Sequence, residues 1–109
     1  MRNHHENEGK IYQDDLAKVA RTRANIGYIY LRMKNADQAI SNFEESIFEQ
    51  NLCLDPHDSL VIATMDHLAI SYTMKGLKGK AIQTYSKMLT AQIQAYGAEH
   101  EECVSILIK

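Results

Sequence analysis

Ile26-Gly27-Tyr28-Ile29-Tyr30 is answered 42 positions later by Leu68-Ala69-Ile70-Ser71-Tyr72. A large apolar residue, a small residue and an aromatic recur in the same order. The match extends outward: Ala39, Ile40 and Phe43 pair with Ala81, Ile82 and Tyr85, and Ile47 pairs with Leu89. A period of about 20–50 residues marks stacked supersecondary units, none of which can bury its apolar face alone. This stretch therefore decides for a repeat protein before any single element is assigned.

Around these anchors the apolar positions keep helical spacing. From Leu16, apolar or small residues fall at 16, 19, 20, 26, 27, 30, 31 and 33, with Asp14 or Asp15 placed to cap. Lys34-Asn35 makes a tight turn. A second helix is predicted over about 36–52, with Ala39, Ile40, Phe43 and Ile47 inward and Glu44, Glu45 and Glu49 solvated. Pro56 breaks the chain, and Asp58 or Ser59 can cap a third helix over about 58–74. Its inward residues are Val61, Ile62, Met65, Leu68, Ala69 and Tyr72. Gly76 is placed to take a left-handed backbone. A fourth helix over about 78–96, with Ala81, Ile82, Tyr85, Met88 and Leu89 inward, stops at Gly97. Cys103, Val104 and Leu107 then restart the pattern of Val61, Ile62 and Met65.

The domain plan is a flexible polar tail over 1–10 and one repeat domain over 11–109. Repeat 1 spans about 16–54, repeat 2 about 58–96, and a partial repeat 3 about 100–109. The fold class is all-α, an α-α superhelix of two helix-turn-helix repeats and the start of a third. Gly27 and Ala69 sit where a first helix must approach its partner closely, facing Ala39 and Ala81.

Composition narrows the function. The 109 residues suffice for one small domain, and 45% hydrophobic with 24% charged residues is ordinary for a globular chain. A formal net charge of −2 supplies no basic field for nucleic acid. No apolar run approaches the roughly 20 residues of a membrane span, and the polar start lacks the core of a signal peptide. A cytoplasmic protein is expected. Two cysteines, Cys53 and Cys103, are too few and too distant for a disulfide framework. No metal-ligand set, phosphate-cradling glycine loop or activated nucleophile is present, so neither an enzyme nor a cofactor is expected.

The pattern Ile26-Gly27, Tyr30, Ala39, Phe43, then Leu68-Ala69, Tyr72, Ala81, Tyr85 resembles the tetratricopeptide repeat. The usual unit has 34 residues; the 42-residue period here is similar to that of kinesin light chain. Gly97-Ala98-Glu99-His100 resembles that family's inter-repeat loop, and Gly76 to Ala81 loosely resembles its turn. Asn25 keeps the position of an asparagine that in such repeats bonds ligand backbone, while His67 replaces it in the second repeat. Asp55-Pro56-His57-Asp58 also departs from the family loop.

The resemblance implies a concave groove lined by the first helix of each pair. In that register the groove carries Arg21, Asn25, Tyr28 and Arg32 from the first repeat. Asp66, His67, Ile70 and Met74, with Ala63, come from the second. Two guanidinium groups, an amide and a phenol present planar donors for carboxylates and backbone carbonyls, and Ile70 and Met74 add apolar surface. The implied partner is a protein or peptide with acidic residues beside an apolar anchor. The expected function is a non-catalytic adaptor or scaffold. The alternative is a structural subunit that associates through helix faces and its C-terminal end. Val104, Leu107 and Ile108 lack a full set of partners there, which suits either a longer repeat array or packing on another copy.

Overall fold

The computed structural model describes residues 2–97, with side chains from Ile11 onward. The described residues form four α-helices and no strand: α1 (Arg2–Arg32), α2 (Ala36–Cys53), α3 (Ser59–Lys75) and α4 (Lys78–Tyr96). The predicted third repeat, Cys103 and the C-terminal residues Val104, Leu107 and Ile108 lie outside the described residues.

Three of the four helices match their expected limits. The first does not. Its backbone is helical from Arg2, so Asp14 and Asp15 lie within the helix instead of capping it, and the 1–10 segment expected as a tail continues α1. The cause is local. No proline occurs upstream of Asp14 and only Gly9 weakens the run, so a helix anchored further on propagates backwards through it.

The period reappears bond for bond in the turns. After α1, Lys34 takes φ 64° and its N–H donates to the Leu31 carbonyl at 3.0 Å, while the Asn35 N–H reaches the Tyr30 carbonyl at 2.9 Å. After α3, Gly76 takes φ 90°, its N–H donates to the Thr73 carbonyl at 3.0 Å, and the Leu77 N–H reaches the Tyr72 carbonyl at 2.8 Å. Both turns are left-handed helix caps that satisfy carbonyls at the end of the preceding helix. The next helix opens in register each time, with Ala39 N–H on Asn35 C=O and Ala81 N–H on Leu77 C=O, both at 3.1 Å. Asn35 adds a side-chain cap to the Gln38 N–H at 3.2 Å, which Leu77 does not supply. As the sequence predicts, Asp58 caps α3, accepting from the Leu60 N–H at 2.9 Å, and Gly97 ends α4.

Successive helices pack in order, α1 on α2, α2 on α3 and α3 on α4. Leu31, Ala39, Phe43, Leu68, Ala69, Tyr72 and Ala81 form the core cluster, with Tyr30, Ile40 and Ile47 against it. Phe43 is fully buried, a contribution of about 1.5–3 kcal/mol. Some positions expected inward are exposed instead: Val19 and Ile26 on α1, and Ile82, Tyr85 and Leu89 on α4. They belong to the outermost described helices, whose outward faces no other described helix covers. No described helix is long and apolar enough to cross a membrane.

Candidate functional site

α1 and α3 contact each other directly, whereas α2 and α4 meet at most marginally. The first helices of the two repeats therefore share one face. The rings of Tyr28 on α1 and His67 on α3 lie 5.0 Å apart, and His67 stacks in turn 5.9 Å from the buried ring of Phe43. Tyr28 also accepts a hydrogen bond from Arg32 Nη1 at 3.2 Å, with the guanidinium 5.9 Å from its ring centre. Tyr28 thus joins the two stripes read from the sequence and holds one arginine in place.

The remaining predicted residues flank this contact. Arg21 and Asn25 are exposed on α1, about three and two turns from Arg32 along the same face. Arg21 has no ion-pair partner among the described residues, so the carboxylates at Asp14 and Asp15 do not engage it. Ile70 and Met74 on α3 are exposed, and Asp66 is half-buried. Asp66 and Ala63 also line an open cleft of about 530 Å3 between α3 and the C-terminal half of α4.

Two groups of polar residues escaped the sequence reading. Arg23, half-turned from the shared face, forks onto Glu49 through Nε at 2.9 Å and Nη2 at 3.0 Å, and reaches Glu45 through Nη1 at 2.9 Å. Glu49 is mostly covered, so the expected solvated acidic side of α2 is in part a clamp onto α1. Glu44 likewise accepts from the Tyr72 hydroxyl at 2.6 Å. That bond and burial hold the phenol above its ordinary value, burial first.

The second group is a buried chain across three helices. Ser46 donates to the Ala20 carbonyl at 2.5 Å, and Gln50 Nε2 donates to Ser46 Oγ at 2.8 Å and Thr64 Oγ1 at 3.0 Å. Gln50 Oε1 is buried without a protein partner. Polar residues at core positions look solvent-facing in a hydropathy pattern. The available signal was the period, since Gln50 recurs as Gln92 and Thr64 is preceded by Thr22.

Among the described residues no three His, Cys, Asp or Glu side chains converge into a metal-binding group. Burial, with Glu49 and Asp58 nearby, pushes the Cys53 thiol up and away from the nucleophilic thiolate.

No family model, curated protein or solved structure matches this chain.

Proposed function

We propose that the chain is a tetratricopeptide-like repeat module whose α1/α3 face holds an extended or helical protein segment, with the chain acting as a non-catalytic adaptor. The contact between Tyr28 and His67 carries this reading. It fuses the predicted stripes of two repeats into one surface, with guanidinium groups at Arg21 and Arg32, an amide at Asn25, and apolar side chains at Ile70 and Met74. The closer approach of α1 to α3 than of α2 to α4 favours curvature with this face on the inside. Planar donors beside exposed apolar residues suit a ligand with one or more carboxylates flanking an apolar anchor.

Selection of a displayed random peptide library on the wild-type chain and on a triple variant (Arg21→Ala, Asn25→Ala, Arg32→Ala) tests the reading. Circular dichroism establishes that the variant keeps its helices. Enrichment of acidic peptides with an apolar residue, weakened at least about tenfold by the variant, is the expected result. Peptides bound equally by both proteins would remove the face from the account.

A second reading, a structural subunit that associates through helix faces, is favoured by the exposed apolar residues along α1. Its C-terminal contact surface, Val104, Leu107 and Ile108, lies outside the described residues.

A further inference from the structure

The 42-residue period allows each helix to be compared with its own counterpart. α1 and α3 each pack against the helix that follows them. α3 alone also has α2 before it. Residues buried on α3 but exposed at the same positions of α1 are therefore those that α2 covers. They are Val61 (0% exposed) against Val19 (46%), and Leu68 (6%) against Ile26 (41%). Buried Thr64 and Ser71 likewise correspond to exposed Thr22 and Ile29. The exposed apolar stripe of α1 is thus the surface that, one repeat later, lies against a second helix.

The complementary half is exposed at the other end. α2 is covered by α3, and α4 is the counterpart of α2. Phe43 (0% exposed) corresponds to Tyr85 (43%), and buried Gln50 to exposed Gln92. Half-buried Ile40 and Ile47 correspond to exposed Ile82 and Leu89. Among the hydrogen bonds that cross the α2/α3 interface, the buried one from Gln50 to Thr64 has both of its counterparts on the surface, Gln92 on α4 and Thr22 on α1. Neither has a partner among the described residues. Gln92 also lines the open α3/α4 cleft, at the position where Gln50 meets Thr64 one repeat earlier.

We infer that the chain associates head to tail with a second copy of itself, the α1 face of one copy docking on the α4 face of the next and repeating the α2/α3 interface between molecules. Val19 and Thr22 enter the cleft beside Gln92, Ile26 meets Tyr85, and Gln92 donates to Thr22. Such a contact pairs two different surfaces, so it leaves one of each kind free and does not close at a dimer.

Two double variants test it. Val19→Glu with Ile26→Glu blocks the α1 face, and Ile82→Glu with Leu89→Glu blocks the α4 face. All four sites are exposed, and circular dichroism checks that both variants stay folded. By sedimentation equilibrium the wild type should grow in mass beyond a dimer as concentration rises. Each variant alone should be monomeric, and their equimolar mixture should form a single dimer. Thr22→Ala and Gln92→Ala should each weaken association about 3- to 10-fold, and together no more than either alone. A wild type that stays monomeric up to about 1 mM overturns the inference. A variant that self-associates alone, or a mixture that stays monomeric, overturns it as well.

Discussion

The ring of Phe43 lies against the backbone of Gly27 so closely that a Cβ added at Gly27 would come within 2.8 Å of two ring carbons. This contact is the physical content of the small residue at that position of the repeat. In an exposed helix interior, glycine to alanine stabilises by about 0.5–1 kcal/mol. Here Gly27→Ala should destabilise instead, by about 1–3 kcal/mol, because a fully buried aromatic must move. Combining it with Phe43→Leu should cost less than the two single changes added. Chemical denaturation of the four proteins measures the coupling, and a stabilised Gly27→Ala protein would contradict the close approach.

The two turns differ at the residue that takes the left-handed backbone. Lys34 holds a left-handed backbone at φ 64° where the second repeat has Gly76 at φ 90°. A side chain in that conformation costs about 1 kcal/mol. Lys34→Gly should therefore stabilise by about that amount, raising the melting temperature by a few degrees, and Gly76→Ala should destabilise to a similar extent.

Gln50 has no water-accessible side and sits among Ser46, Thr64 and the Ala20 carbonyl. Ser46 and Thr64 already donate their hydroxyl protons to the carbonyls of Ala20 and Leu60, so an apolar replacement strands neither donor. Gln50→Met is expected to be near neutral in urea unfolding, whereas Gln50→Glu places a charge in the same space and should cost about 3 kcal/mol or more at pH 7.

Tyr72 supplies a pH signature. Its folded-state pKa is raised above the ordinary value of 10.0 by burial and by the bond to Glu44. The associated stability is fully present below pH 10, and it is lost as pH rises through the folded pKa, because the unfolded chain releases the proton first. Above pH 10 the wild type should lose about 1.4 kcal/mol per pH unit from this group. Tyr72→Phe should flatten that limb, read from urea midpoints at pH 9 to 11.

Much of the architecture is written in local chemistry. Lys34-Asn35, Gly76, Asp58 and Gly97 each mark an end that the backbone realises, because a cap or a left-handed residue acts within one turn. The period also identified Gly27, Ala39, Phe43, Ala69 and Ala81 as core. It also placed Val19, Ile26, Tyr85 and Leu89 inward, where they are exposed, because a period does not tell which end of the stack lacks a neighbour and no described helix covers them. Glu44, Glu45 and Glu49 read as solvated, and Arg23 and Gln50 gave no signal, because polarity alone does not reveal a partner on another helix. The candidate face was legible as two separate stripes; that Tyr28 and His67 join them depends on how closely α1 and α3 approach. The start of α1 was hidden because a polar run without periodicity can still follow an anchored helix.

The central claim is that the α1/α3 face receives a protein segment. Amide chemical-shift mapping with a peptide from the library selection tests it directly. The account predicts that shifts cluster at Arg21, Asn25, Tyr28, Arg32, His67 and Ile70 on that one face. Shifts confined to Val19, Ile26 and Ile29, or to Ile82 and Leu89 on α4, would contradict it and assign binding to the ends of the stack.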